Sequence, residues 1–153
     1  MDNTEQLVSK ITTLENEIKR LKVQERGSNL IRLTAPLTST DWNGDRYSTT
    51  AKTKIDLSAV FSVPAGVSAV LVLLQIRDSA SSTSEVGMGF APNDTADQYS
   101  FFQSLRGMGN NYSEYVTVTI PCDANGDIYY QITASGNSTM DVWLTIWGYW
   151  STT

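Results

Sequence analysis

The stretch TMDVWLTIWGYW (Thr139–Trp150) repeats with a period of two residues, which is the pattern of a β-strand. The two faces of this strand carry different kinds of side chain. Trp143 and Trp147 lie on the side that should meet solvent, and a monomer rarely exposes such an apolar patch. We therefore expect another subunit, or a ligand, to cover the two tryptophans, and we favour the subunit. The other face carries the side chains of an ordinary sandwich core, which are Met140, Val142, Leu144 and Ile146.

Six further strand candidates precede this one, and the loops between them are rich in Ser, Asn, Asp and Gly. Many short strands with no second helix predict a mainly β protein, an antiparallel β-sandwich or jelly roll. The segment VLVLL (Val70–Leu74) is apolar at consecutive positions, so we expect its strand to be covered on both faces. The six candidates are residues 51–57, 67–77, 85–91, 98–105, 112–120 and 127–134.

The N-terminal part of the chain, residues 1–27, has a different composition: it holds none of the fifteen aromatic residues and has no net charge. Its apolar side chains recur at spacings of four, three, four and three, which is the heptad seam of a coiled coil. In parallel helices Lys10 faces Glu15 of a neighbour and Glu17 faces Lys22, so a parallel, in-register arrangement is favoured. The seam residues are Leu7, Ile11, Leu14, Ile18 and Leu21.

Two features of the sequence favour different numbers of chains in this coiled coil. Isoleucine at a with leucine at d favours dimers, whereas KITTLE (Lys10–Glu15) resembles the short trimer-specifying motif of natural coiled coils, with Lys where Arg is usual. A helix of this length is only marginally stable alone. The rest of the chain must therefore help to hold a stable oligomer together. The alternative is a helix that packs on its own chain, but its charge pairing would then have no purpose. We predict a parallel homotrimer with a coiled-coil stalk (1–27), a linker and start of the head (28–50) and a β-sandwich head (51–153).

The composition argues against several classes of function. The formal charge of −5 lies wholly on residues 28–153, and an acidic head is a poor partner for nucleic acid or an anionic bilayer. The longest apolar run has ten residues, about half of a membrane span, and the acidic N-terminus predicts no signal peptide.

The absence of histidine from the sequence bears on catalysis. It removes Ser–His–Asp and Cys–His arrangements as well as His-ligated zinc. The single cysteine, Cys122, is expected to be a buried structural thiol. We predict no enzymatic activity and no cofactor. The enzymatic alternative is glycoside hydrolysis by paired carboxylates, Asp94 with Asp97 or Asp123 with Asp127.

The candidate receptor contacts lie mainly in RGMGNNYS (Arg106–Ser113), which combines amides, a tyrosine and a guanidinium. Amides can bond sugar hydroxyls and an aromatic ring can stack on a pyranose face, although flexible polar connectors have the same composition. Trp42, beside Asn43-Gly44, is either a stacking platform or a residue that fixes the linker against the head, and we favour the second role. The predicted receptor-binding residues are Arg106, Asn110, Asn111, Tyr112 and Trp42.

The segment DANGD (Asp123–Asp127) has oxygen ligands at alternate positions, as the start of a calcium loop does. The match stops there, because Ile128 and Ala134 stand where such a loop has Gly and Glu. Asn125-Gly126 between two strands predicts a hairpin turn by itself. We favour the turn and predict no metal site.

Two long stretches, together with the heptads, resemble the distal end of a bacteriophage tail fibre or a related receptor-binding protein. They are LTAPLTSTDWNGDRYSTTAKTKIDLSAVFSVPAGVSAVLVLLQIRDS (Leu33–Ser79) and IPCDANGDIYYQITASGNSTMDVWLTIWGYW (Ile120–Trp150), whose closing strand reaches Gly148-Tyr149. The resemblance implies a homotrimer that binds a host cell-surface glycan or protein without catalysis. It also implies a virion tail appendage, assembled in the host cytoplasm. The alternatives are a structural fibre-tip or trimerisation module without a ligand, and a free-standing oligomeric β-sandwich lectin.

Overall fold

The computed structural model describes residues 10–18, 29–39, 41–42 and 48–151. Residues 10–18 form an α-helix, α1, while the seam residues Leu7 and Leu21 lie outside the described residues. The remainder of the described chain is mainly β, as predicted, with one short helix, α2 (Leu57–Phe61). Its strands are β1 (Asn29–Leu37), β2 (Thr53–Ile55), β3 (Ala69–Asp78), β4 (Gly87–Ala91), β5 (Phe101–Ser104), β6 (Ser113–Pro121), β7 (Ile128–Thr133) and β8 (Met140–Ser151).

The strands form two four-stranded antiparallel sheets by a nested pairing. β1 pairs with β8, β2 with β7, β3 with β6 and β4 with β5. Sheet A has the order β1-β8-β3-β6 and sheet B the order β2-β7-β4-β5. Such nesting arises when one long hairpin folds over on itself, and it gives the two packed sheets of a jelly roll. The predicted antiparallel sandwich is therefore confirmed.

One hydrophobic core lies between the inner faces of the two sheets. β8 directs its four predicted apolar side chains inward, and none of them is more than 5% exposed. Sheet B contributes side chains from β4 and β7 to the same cluster, so apolar residues at alternate positions hold the sheets face to face. The sheet B side chains are Met88, Phe90, Ile128, Tyr130 and Ile132.

The strand candidate at residues 51–57 is wrong at both ends, because β2 spans only Thr53–Ile55. β2 ends at Ile55, because the next residue, Asp56, caps a helix that the sequence analysis did not expect. The carboxylate of Asp56 accepts a hydrogen bond from the backbone N–H of Ala59 at 2.9 Å, which caps α2 at its N-terminus. Leu57 and Phe61 of α2 are buried in the core.

β1 lies within the segment assigned to the linker and the start of the head, and it was not among the predicted strands. Its sequence NLIRLTAPL lacks a strict period of two and contains Pro36. A strand that contains proline belongs at the edge of a sheet, and β1 is indeed the edge strand of sheet A. Residues 29–37 are therefore part of the sandwich.

Each connection between consecutive strands lies at one of the two ends of the sandwich, and the strand directions determine which. β1 begins at one end, where Asn29 lies opposite Ser151 near the end of β8. The connections that follow β1, β3, β5 and β7 lie at the opposite end, which we call the far end. Because the chain enters the head where β1 begins, the far-end connections lie away from the junction with residues 1–28.

Candidate functional site

The connections of the far end are tied together by one buried carboxylate, Asp78, at the end of β3. Its carboxylate oxygens accept hydrogen bonds from the backbone N–H of Ala80 at 2.8 Å and from the hydroxyl of Ser135 at 2.6 Å. They also accept from the N–H of Ser135 and the hydroxyl of Thr139, both at 3.1 Å. The backbone carbonyl of Asp78 accepts from the N–H of Asn111. Asp78 therefore joins three far-end connections.

The pKa of Asp78 reflects a balance between burial and these hydrogen bonds. Burial alone disfavours the charged carboxylate and raises the pKa. The hydrogen bonds donated by Ser135, Ala80 and Thr139 together outweigh burial, so the pKa lies below its ordinary value. The charged form of Asp78 is thus the form that the folded far end holds.

Arg106 lines a pocket of about 200 Å³ on the rim of the far end, on the outer side of sheet B. Its guanidinium Nη1 lies 2.5 Å from Oε1 of Glu85, and the two side chains are 70% and 72% exposed. An ion pair so exposed adds at most about 1 kcal/mol to stability, so its charged groups can contact a ligand at little cost to the fold. The pocket is lined by Glu85, Val86, Phe102, Ser104, Arg106 and Thr133.

Of the residues that line this pocket, the sequence analysis named only Arg106, and Phe102 is the aromatic one that it missed. Its side chain is 47% exposed although it is one of the larger apolar groups of the head. The signal was present in FFQS, because a strand that packs Phe101 against the core on one face must present Phe102 on the other.

The other predicted receptor residues of RGMGNNYS occupy the same end. The side-chain carbonyl of Asn110 accepts hydrogen bonds from the N–H and the hydroxyl of Ser82, which joins the β5–β6 connection to the β3–β4 connection. Asn111 adopts a left-handed backbone conformation with φ of +60°. Tyr112 is 46% exposed. The contacts of Asn110 and Asn111 shape the loop, while Arg106 and Tyr112 present side chains to solvent.

Trp42 is half-buried and packs on the core. Its ring lies 6.3 Å from that of Phe61 and 5.7 Å, edge-on, from that of Tyr130. These contacts match the favoured role, in which Trp42 fixes the segment after β1 against the sandwich.

The outer face of sheet A carries an apolar surface that we call the tryptophan face. Trp143 and Trp147 are each 38% exposed there, on the side of β8 that the alternation predicted. The guanidinium of Arg77 lies 5.5 Å from the ring centre of Trp143, and its Nε donates a hydrogen bond to Asp141 at 2.7 Å. We expected β3 to be covered on both faces. In a single chain its inner face is buried, whereas its outer face is only half-buried. The tryptophan face consists of Leu71, Leu73, Tyr115, Trp143 and Trp147.

The DANGD segment forms a tight turn, as predicted, but not a β-hairpin, because the flanking strands β6 and β7 belong to different sheets. The carboxylate of Asp123 accepts hydrogen bonds from the N–H groups of Asn125 and Asp127 at 2.8 and 2.9 Å. Asp127 is buried, and its carboxylate lies 3.0 Å from Nζ of Lys54 and accepts from the N–H of Leu57. Both carboxylates therefore have protein partners. Within the described ranges, no three acidic or cysteine side chains converge in a group that could hold a metal ion.

The Cys122 thiol is expected to be unreactive. The residue is half-buried rather than fully buried as expected. This partial burial, together with the negative charges of Asp123 and Asp127, raises its pKa from 9.0 to about 12. Three pKa units reduce the thiolate fraction about 1,000-fold at neutral pH. We expect iodoacetamide at pH 8 to alkylate the folded protein hundreds-fold more slowly than the protein in urea, as followed by mass spectrometry. Equal rates would contradict the raised pKa of this half-buried thiol.

The chain matches no protein-family model and no curated protein, so the candidate sites depend on their own geometry. In the part of the chain that the structure describes, no helix is both long enough and apolar enough to cross a bilayer.

Proposed function

We propose that this protein is a homotrimeric, non-enzymatic adhesion protein of the phage tail-fibre type, which binds a host cell-surface receptor through the far end of its head. The observation that carries the proposal is the position of Arg106 and Tyr112. Both are exposed and lie at the end of the sandwich opposite the junction with the stalk. A fibre joined to its particle through the stalk would present this end to the host first. In this role the protein is a virion component, and a surface glycan is the preferred receptor.

The exposed seam of α1 supports assembly through the stalk. Ile11, Leu14 and Ile18 are 51%, 61% and 50% exposed, so a single chain leaves them uncovered. An apolar stripe on a helix needs a partner surface. The opposite charges of Lys10 and Glu15, at facing g and e positions of parallel helices, favour further copies of this chain as that partner.

The tryptophan face supports contact between heads. β1, the strand through which the chain enters the head, belongs to sheet A, as the tryptophan face does. Three chains held by a parallel stalk bring their β1 strands near a common axis. The outer face of sheet A is then the apolar surface available to a neighbouring copy, which covers Trp143 and Trp147.

A trimeric head with one site per chain suits a repetitive receptor. Each site binds weakly alone, but simultaneous engagement of several sites raises the apparent affinity by about 10²–10⁴-fold. Bacterial surface polysaccharides offer such repeats, so no single tight site is required.

The test combines the mass of the full chain by light scattering with its retention on an array of bacterial capsular and lipopolysaccharide glycans. We expect a three-chain mass and retention on at least one glycan. The double variant Ile11→Glu, Ile18→Glu places charge in the seam and is expected to yield single chains, with retention reduced by about 100-fold or more.

The matched control is the double variant Thr12→Glu, Thr13→Glu, which adds the same charge at positions b and c, outside the seam. It is expected to keep both the three-chain mass and retention. A monomeric wild-type chain would contradict the proposal. A stable trimer without retention on any glycan or whole bacterium would instead favour the structural fibre-tip module.

A further inference from the structure

We propose that the pocket at Phe102 and Arg106 holds one neutral pyranose ring of the receptor, with Phe102 as its stacking platform. This inference rests on the proposed function, since it names the ligand class at the far end.

Phe102 is supported as a platform by the glycines of β4. It lies directly opposite Gly89 across the β4–β5 pair. A Cβ at Gly89 would stand 2.9 Å from Cδ2 of the Phe102 ring, and one at Gly87 would stand 2.8 Å from Cζ. The ring therefore lies along the bare backbone of β4, where only glycine leaves room for it. One side of the ring is held by the sheet, while 47% of the residue remains exposed.

Tyr99 restrains the platform from the side. Its ring centre lies 5.4 Å from that of Phe102 at an angle of 52°. The Tyr99 hydroxyl donates a hydrogen bond to Oε1 of Gln131 at 2.7 Å, and Nζ of Lys52 lies 5.1 Å from the Tyr99 ring centre. A ring held in one position loses little freedom when a ligand stacks on it, which lowers the entropic cost of binding.

Two protein hydroxyl groups lie beside Phe102, at positions where they could bond the hydroxyls of a sugar stacked on its ring. Ser104 and Thr133 lie on either side of Gly87, because both strands pair with β4 at that residue. The two side chains line the pocket beside Phe102. A pyranose has an apolar face and a rim of hydroxyls, and this pocket offers one aromatic surface with polar groups at its border.

The charged side chains at the opening of the pocket, Glu85 and Arg106, favour an uncharged sugar. Glu85 can accept a hydrogen bond from one sugar hydroxyl, while Arg106 can donate to a neighbouring one. Because the two side chains form an ion pair, their charges balance. An acidic sugar would meet Glu85 and a head that carries the whole formal charge of −5, whereas an aminosugar cation would meet Arg106. A neutral hexose meets neither repulsion.

The size of the pocket favours a single ring. Its volume of about 200 Å³ is below the range of about 300–1,000 Å³ that is typical of pockets for drug-sized ligands. The remainder of a polysaccharide would pass over the open rim and contact the exposed far-end loops.

Saturation-transfer NMR on the full chain provides the test, with the methyl glycosides of glucose, galactose and mannose as probes and with glucuronic acid and glucosamine as charged counterparts. We expect at least one neutral glycoside to receive saturation from aromatic protons, with the charged sugars at least tenfold weaker. Phe102→Ala is expected to reduce this binding tenfold or more, and Phe102→Tyr is expected to retain it.

Trp143→Ala serves as the control, because it removes an exposed ring on the other sheet, and binding of the monosaccharide should be unchanged. The inference would be overturned if Trp143→Ala lost monosaccharide binding while Phe102→Ala kept it. If the wild type is retained on bacterial glycans and Phe102→Ala is retained equally, the pocket assignment is wrong while the proposed function stands. If the wild type is retained on no glycan and binds no monosaccharide, both proposals are wrong.

Discussion

Replacement of Asp78 by alanine is expected to lower the free energy of unfolding by about 3–4 kcal/mol, because it removes one acceptor from several donors at once. The N–H groups of Ala80 and Ser135 and the hydroxyls of Ser135 and Thr139 all donate to this carboxylate. Its charge also strengthens these bonds relative to neutral ones. Urea unfolding at equal protein concentrations, followed by circular dichroism, measures the loss.

One control variant separates this role from a general effect of charge. Asp94→Ala removes an exposed carboxylate of a connection at the other end of the head and should change stability by less than about 0.5 kcal/mol. A loss of under 1 kcal/mol in Asp78→Ala would show that Asp78 does not hold the far end together.

The pH dependence of the Asp78 contribution follows from the lowered pKa. Since the folded state holds the carboxylate charged, the unfolded state binds more protons in acid. The contribution is therefore fully present above the unfolded pKa of about 4 and is lost as the pH falls towards the folded pKa. We expect the difference in stability between wild type and Asp78→Asn to be largest near pH 7 and to narrow below about pH 4. A constant difference from pH 7 to pH 3 would contradict this origin.

The double variant Trp143→Gln, Trp147→Gln is expected to dissociate the proposed trimer without unfolding the head. Buried tryptophans at interfaces commonly contribute about 2 kcal/mol or more each, and a loss of about 4 kcal/mol raises a dissociation constant about 1,000-fold. Both side chains lie on the outer face of β8, away from the core, so the circular dichroism spectrum should be unchanged. Light scattering over a dilution series measures the mass.

Tyr112→Gln is the control for this prediction, because it removes a similarly exposed aromatic ring from a far-end loop rather than from sheet A. Its mass should remain that of the wild type at every concentration. An unchanged three-chain mass in the tryptophan variant would show that the tryptophan face is not the contact between heads. The same face would then become the leading candidate for a ligand.

The alternation within β8 was sufficient to predict which of its side chains enter the core and which two tryptophans remain outside. This prediction succeeded because side-chain direction in a strand depends on local geometry, which repeats every two residues. The heptads likewise specify an apolar stripe on α1, which a single chain leaves uncovered. The tight turn at Asp123–Asp127 was also predictable, because its hydrogen bonds join residues close in sequence, whereas its place between two sheets rather than within a hairpin was not.

The local sequence was a poorer guide where distant segments meet. β1 lacks a clear period and is a strand because β8 provides a partner along the edge of sheet A. α2 interrupts a plausible strand because Asp56 caps a helix whose apolar residues fill the core. In both places the tertiary context outweighed a weak local preference.

The far-end site shows the same division. Sequence composition suggested Arg106 and its loop as candidates, but it offered no means to place Glu85 beside Arg106 or to lay Phe102 on the glycines of β4. Asp78 likewise joins connections that are up to 61 residues apart in the chain. The sequence by itself determined the strand faces, the heptad pattern of apolar residues and the polar loops, since each depends on neighbouring residues. Only the tertiary structure decided which loops share an end and which side chains form one pocket, because those contacts arise from the nested pairing of distant strands.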